Sequence, residues 1–447
     1  MNNDQLTIDN DQLPEGYQQT EVGVIPEDWN IRELGNLGKF KNGINKGSED
    51  FGHGSPFVNL MDVFGISSIS EAEHLGLVNS NDAEKKVYDL REGDVLFIRS
   101  SVKPSGVGLT TVVTRDLPNT VYSGFLIRFR DSENLETDFK KYCFSEEKFR
   151  QRVVANSTVS ANTNINQDNL KKLNLAYPES AAEQRSISQA LSDVDALIAG
   201  LDKAIAKKRH LKTATMQQLL TGKKRLPGFG EGKSYQQTEI GIIPEDWNVL
   251  KIAEIVDNHR IPSGIYKEKS LYGKGAKIIK LGDVFSLDYF DPSKAQRVVL
   301  DSNELLTYHV NIGDILIALA SVKLEGVGKV MLVTDLDENT AYDHNVALIR
   351  ANELVEPRFL FHLLKSNLVR REVGKLATQV GTTFLKASTI LAFQLPIPSI
   401  KAEQASIVTV LSDMDAEIAA LETRLAKTQA LKQGMMQALL TGRVRLV

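Results

Sequence analysis

Cysteine is almost absent from this chain: Cys143 is the single one in 447 residues. That excludes a disulfide within the chain and a cysteine-built zinc cluster, and it suits a reducing cytosol. Long apolar runs are missing too. No stretch of about 18 apolar residues occurs, so no membrane-spanning helix is expected. The first residues lack the basic and apolar regions of a secretory signal, and a cytoplasmic location is the expectation. Nor does one charge dominate. Lys and Arg number 53 against 57 Asp and Glu, a net charge of −4. Asp4, Asp9, Asp11 and Glu15 alone account for that value, and residues 1–15 are expected to form a disordered acidic tail. A chain that grips nucleic acid unaided through phosphates is usually basic. Here any such affinity has to come from local patches or from partner subunits. The apolar fraction of 42% and charged fraction of 25% are those of an ordinary soluble protein, and the length predicts several domains.

What is present is a repeat. The 46 residues from Ala181 align without gaps to the 46 from Lys401, and 25 positions are identical. A second repeat, YQQTEVGVIPEDWN from Tyr17 and YQQTEIGIIPEDWN from Tyr235, opens each half. The order is domain, helix, domain, helix. Such a chain is a one-chain pseudo-dimer, and two-fold symmetry suits a target with two half-sites, such as duplex DNA.

Short apolar runs separated by turn residues mark the first globular region, among them Asp94–Ile98, Leu109–Val113 and Gly124–Phe129. A single helical stretch is predicted over Asp138–Val154. The fold class is therefore α+β, with two similar globular domains joined by two long coiled-coil helices in a pseudo-two-fold repeat; an antiparallel helix pair would place the globular regions at opposite ends. The boundaries read from the sequence are 16–179 for the first domain, 180–222 for the central helix and 223–233 for a flexible linker. They continue with 234–399 for the second domain, 400–442 for the C-terminal helix and 443–447 for a tail.

In the helices, Ile187, Leu191, Val194, Ile198, Leu201 and Ile205 step by four and three, as do Ile407, Leu411, Met414, Ile418, Leu421 and Leu425. This is a heptad seam that neither helix can bury alone, so the two are expected to pack on each other. Lys208, Lys212 and Thr215, and Thr428 and Lys432, continue the seams in polar form. Ser180 with Glu183 fits a capping box, and Gly222 and Gly442 fit C-terminal caps.

Catalytic machinery is not recognisable. No Asn/Asp-Pro-Pro-Tyr/Phe motif of amino-methyltransferases occurs. The segment from Pro227 to Ser234 approaches a phosphate-binding loop but has Pro227 where the first glycine belongs. The seven histidines are scattered singly, without metal-ligand spacing.

Three marks occur in duplicate and in order. They are the opening segment at Gly16–Trp29, the Gly-Asp-Val/Ile-Leu element at Gly93 and Gly313, and the run Pro178…Glu183-Gln184…Ile187 with its copy Pro398…Glu403-Gln404…Ile407. On these marks, from Tyr17 to Leu446, the chain resembles the specificity (S) subunit of a type I restriction–modification enzyme. The resemblance implies two target-recognition domains on antiparallel helices, reading an asymmetric bipartite double-stranded DNA sequence with a non-specific spacer. It implies assembly with two methyltransferase (M) subunits and with restriction (R) subunits, and no membrane. It also implies that this chain is non-catalytic and holds no cofactor or metal. S-adenosylmethionine, ATP and Mg, and adenine-N6 methylation, belong to the partner subunits.

The DNA contacts are expected in the segments that differ between the copies. In the first domain the candidates are Lys41, Lys46, Arg99, Ser100, Ser101, Lys103, Asn162 and Asn164, with Asn166 near them. In the second they are His259, Arg260, Lys267, Lys274, Ser321, Lys323, Thr382 and Thr383. Arg and Lys bond guanine O6/N7 or phosphate, and Asn bonds adenine. Ala318-Leu319-Ala320 is set against Arg99-Ser100-Ser101, so the domains are expected to read different bases. The cluster Lys207-Lys208-Arg209-His210 with Lys212 is either a solvated helix face or a contact to spacer phosphates. Two other readings stay open: a coiled-coil adaptor for protein partners, and a specificity subunit of a related DNA-modification defence system.

Overall fold

The computed structural model describes residues 13–133, 135–376, 378–380 and 382–446, so most of the expected acidic tail lies outside the described residues. The chain divides into two compact units, residues 1–202 with 423–447 and residues 203–422. Each long helix, Ala181–Leu219 and Lys401–Leu439, therefore gives one part to each unit. No described helix is long and apolar enough to cross a membrane.

In the first unit a five-stranded sheet runs in the order Gly38–Asn42, Leu126–Asp131, Val95–Ile98, Thr110–Val113, Ser68–Ile69. All four residues of Val95–Ile98 are buried, which suits an unbroken apolar run in a central strand. The second unit repeats the centre of this sheet with three strands, Val330–Leu332, Ile315–Ala318 and Val346–Ile349, and Ile315–Ala318 is also wholly buried. The helix predicted over Asp138–Val154 is two helices, Thr137–Cys143 and Glu147–Ala155. Glu146 starts the second by accepting from Lys148 N (2.9 Å) and Phe149 N (2.7 Å). A capping carboxylate satisfies the free amides of a first turn there, and so favours a new helix over a continuous one.

The repeated motifs are the joints of each unit. Asp94 accepts from the Arg91 amide (2.8 Å) and takes Nε and Nη2 of Arg130, both at 2.6 Å. Asp314 does the same with Asn311 N and Arg350. The Gly-Asp element is thus a buried ion pair that fixes a turn. Gln184 accepts from Glu136 N (3.0 Å) and donates to Pro178 O (2.9 Å); Gln404 copies this with Glu356 N and Pro398 O.

Glu183 takes Arg445 Nε at 2.6 Å, and Arg445 also holds both carboxylate oxygens of Asp28. In the second unit Arg225 joins Glu403 and Asp246 in the same way. The segments read as linker and tail therefore carry a clamp arginine each. The expected capping box is only half present: Ser180 Oγ accepts from Glu183 N at 3.4 Å, but the Glu183 carboxylate serves the clamp. Gly222 and Gly442 close the helices at φ +68° and +69°. A side chain there would strike Pro244 or Pro26. The hydroxyl of Tyr17 donates to Gly442 O (2.8 Å), and that of Tyr235 to Gly222 O (3.3 Å).

Within each unit the helix parts pair antiparallel. In the second unit Lys208 meets Glu417 (2.6 Å), Lys212 meets Asp415, and Leu219 and Leu220 share a core with Ile407 and Leu411. In the first, Lys432 meets Asp195 (2.5 Å), and Leu439 and Leu440 share a core with Ile187 and Leu191. Ile187, Leu191, Leu201, Ile205, Ile407, Leu411 and Ile418 are buried; Val194, Ile198, Met414, Leu421 and Leu425 are half-buried. The lysines that continue each seam meet carboxylates, Lys208 at Glu417, Lys212 at Asp415 and Lys432 at Asp195, while Thr428 donates to Arg424 O of its own helix.

Candidate nucleic-acid interface

Above the central sheet of each unit, three chain segments meet on one backbone framework. In the first unit, Ile44 N donates to Tyr122 O (2.8 Å), Gly124 N to Ile44 O (2.8 Å), Arg99 N to Phe125 O (2.8 Å) and Ile165 N to Arg99 O (2.9 Å). In the second, the same bonds join Ile265 to Tyr342 (2.9 Å), His344 to Ile265 (3.1 Å), Leu319 to Asn345 (3.1 Å) and Leu385 to Leu319 (2.8 Å). Arg99 thus matches Leu319, and Ser101 matches Ser321. This corrects by one residue the alignment that set Ala318-Leu319-Ala320 against Arg99-Ser100-Ser101.

The framework brings several first-domain candidates together. Ser100 and Ser101 pair with Asn164 and Thr163, and this small sheet ends on Thr158–Val159. Arg99 is exposed, with Nη1 3.4 Å from Gly124 O. Asn162 is exposed and its carbonyl accepts from Asn164 Nδ2 at 3.0 Å. Asn166 does something else: its side chain accepts from Asn169 N and starts the short helix Gln167–Lys171. In the second domain Ala320–Ser321 pairs with Phe384 and Thr383, and Thr382 lies in the same strand. The tips match: Val102 is 82% exposed and Val322 83%, each followed by an exposed lysine, Lys103 or Lys323. Ser101 Oγ and Ser321 Oγ accept from those lysine amides at 3.3 and 3.1 Å.

A half-buried arginine braces each tip. Arg150 Nη2 donates to Val107 O (2.6 Å) and Ser105 O (3.1 Å). Arg370 donates to Val327 O (2.6 Å) and Glu325 O (3.2 Å). Burial pushes the Arg150 guanidinium down to about 10, so it stays charged at neutral pH. Arg150→Met leaves those carbonyls without their charged donor. The expected loss is about 1–3 kcal/mol, with faster amide exchange at Gly106 and Gly108. Unchanged protection there would mean the tip holds itself.

The other candidates have different surroundings. Lys46 is ion-paired to Glu84 (2.9 Å) and Lys267 to Glu304 (2.5 Å), and both lysines are largely covered. The two pairs occupy matched positions in the two domains, so neither lysine is an uncompensated charge in this structure. Lys41 stands over the Tyr88 ring at 5.3 Å. His259 bonds its own turn through Ala253 O at 2.5 Å, and Arg260 beside it is exposed. Lys274 stands on an exposed bulge whose first-domain counterpart carries His53. In the helix cluster, Lys208, Arg209 and Lys212 are engaged by Glu417, Glu422 and Asp415. That favours the solvated-face reading over phosphate contact.

Asn45, Phe125, Tyr266, His344 and Asn345 were not among the expected DNA contacts. The framework places Asn45 and Phe125 beside Arg99, and Tyr266, His344 and Asn345 at the same place in the second unit. Their separation along the chain gives no local signal. Among the described residues no group of three or more His, Cys, Asp or Glu is placed to hold a metal ion.

The family model described as type I restriction modification DNA specificity domain matches residues 26–208 and again 244–432. The chain is 25% identical to the MjaVIII type I restriction enzyme specificity subunit of Methanocaldococcus jannaschii, over 96% of each. Its fold is that of a chain from a solved type I restriction–modification system (TM-score 0.57, 14% identity, 94% of this chain and 99% of that one). It is also similar to the S subunit of a type I restriction–modification system from M. genitalium (TM-score 0.50, 13% identity, 92% and 96%). With both of its halves matched, the chain belongs to the type I restriction–modification DNA specificity family.

Proposed function

We propose that this chain is the sequence-reading subunit of a type I restriction–modification complex, each domain reading one half of an asymmetric bipartite duplex target. The observation that carries the reading is the double family match on one duplicated framework whose loop chemistry differs between copies. A framework kept while its surface diverges suits two half-sites of unlike sequence. The near-neutral charge fits a subunit that shares phosphate contacts with partners. The chain scaffolds two methyltransferase subunits and, for cleavage, restriction subunits. Its side chains position DNA and perform no bond-making step. Adenine-N6 methylation with S-adenosylmethionine, and the ATP- and Mg-dependent steps, take place in the partners.

The test is to co-express the full chain with its methyltransferase subunits and map methylated adenines across a genome. One interrupted motif with two different halves is the expected result. An uninterrupted motif, or methylation without any motif, would overturn the reading.

A further inference from the structure

We propose that four matched framework positions set which bases each domain discriminates, so that exchanging their side chains carries the first domain's preference into the second. The inference rests on the DNA-reading function above. In the first domain the positions hold Asn45, Arg99, Gly124 and Phe125. In the second they hold Tyr266, Leu319, His344 and Asn345. The residues around them are the same in both copies: Gly43-Ile44 and Gly264-Ile265, Tyr122 and Tyr342, and the Ser-Val-Lys tips. The backbone bonds are the same too. On that shared mesh the side chains at these four positions differ between the copies.

Each set is internally fitted. A Cβ on Gly124 would overlap the carboxamide oxygen of Asn45, so glycine at 124 is the room that Asn45 occupies. In the second domain a histidine fills that room, and its partner changes with it. Tyr266, 69% exposed, meets the His344 ring edge-on at 5.0 Å between centroids. His344 Nε2 lies 2.9 Å from Asn345 Nδ2, and Asp343 Oδ1 accepts from Asn345 N at 3.0 Å. The second set is a pre-ordered aromatic and amide cluster. The first set offers an exposed guanidinium and a carboxamide beside Phe125, which is 57% exposed.

These chemistries read different base edges. The Arg99 fork matches guanine O6 and N7, the Asn45 carboxamide matches adenine N6 and N7, and Phe125 suits a thymine methyl. Leu319 is 4% exposed and offers no hydrogen bond, so the second domain discriminates through Tyr266, His344 and Asn345. The shared Lys103 and Lys323 tips, identical in both domains, suit phosphate contacts that carry no sequence information.

The test uses the full chain with its methyltransferase subunits and the methylated-adenine map. In the variant Tyr266→Asn, Leu319→Arg, His344→Gly and Asn345→Phe, the second half-site should be replaced by a copy of the first, giving a symmetric target. A second half-site that persists, or that is lost without gain of the first in a folded variant, overturns the proposal. Arg99→Leu alone gives an independent readout. It should weaken preference at one guanine of the first half-site by roughly ten- to a hundredfold and leave the second half-site unchanged. A first half-site without a G·C pair, or one read unchanged by this variant, also overturns it. No interrupted motif in the unaltered protein would instead sink the DNA-reading function itself.

Discussion

Arg225→Met is expected to destabilise the second unit by about 3–5 kcal/mol, the range for removing one partner of a buried ion pair. Arg225 and Glu403 are both nearly inaccessible, with side chains 9% and 2% exposed. Without the guanidinium, Glu403 loses two charged bonds and keeps the indole N–H of Trp247, at 3.2 Å. The stacking of Arg225 over the Trp247 ring, 5.6 Å from its centroid, is lost as well. Arg445→Met in the first unit should cost less, about 3 kcal/mol at most, because Asp28 is largely exposed and water screens its share. The chain has two tryptophans, Trp29 and Trp247, one in each unit. Denaturation followed in Trp29→Phe and Trp247→Phe backgrounds therefore reports each unit separately. A Trp247 midpoint unmoved by Arg225→Met would show that the clamp holds nothing together, and the reverse ranking would break the argument from burial.

The clamps also set an acid limit. Hydrogen bonds from Arg445 hold the Asp28 carboxyl below the usual carboxylate range, and those from Arg225 do the same for Asp246. A depressed folded pKa contributes stability that is full above the unfolded value near 4 and is lost as pH falls through the folded value. Both Arg→Met variants should therefore lose part of the acid-side slope of stability, with no change on the alkaline side.

The helices and the duplication were legible because their signals are periodic or local. Heptad spacing needs only the order of Ile187, Leu191 and their successors. The role of the marks was not legible. Glu183 and Gln184 look like ordinary helix-start residues until Arg445 and the Glu136 amide are seen against them. What was not legible at the candidate interface shares one cause. Lys46 and Lys267 lie in divergent loops and carry charge, yet their partners Glu84 and Glu304 are nearly forty residues away. Asn45 and Gly124 are 79 residues apart, and only the strand pairing that joins Ile44 to Ser123 makes them one feature. Charge in a variable segment is visible in a sequence, whereas whether that charge is free depends on long-range pairing.

Replacing residues 30–177 by the matching segment of another specificity subunit is expected to change one half-site completely and leave the other as it was. The reason lies in where the first unit's fixed contacts fall. Tyr17, Pro26 and Asp28, which dock on Gly442 and Arg445, precede the exchanged segment, and Glu183 and Gln184 follow it. The two junctions face each other across the antiparallel pair Trp29–Glu33 with Asn174–Pro178, whose bonds are backbone bonds that any sequence can make. Gln184 accepts from a backbone amide, at Glu136, so a foreign segment can supply that contact too. The side-chain bonds that such an exchange risks are Tyr142 to Asp195 (3.0 Å) and the more exposed ones of Glu136 to Arg185 (2.5 Å), Glu147 to Gln437 (3.0 Å) and Asn174 to Glu21 (2.5 Å), each a loss of about 1 kcal/mol or less if the incoming residue cannot replace it. Discrimination responds far more strongly, since three mismatched base pairs cost about 3–9 kcal/mol in total. Methylation at the old first half-site should then fall below detection while every base of the second half-site is read as before. If both half-sites change in the methylated-adenine map, the domains do not read independently, and the division of the chain into two self-contained reading units is wrong.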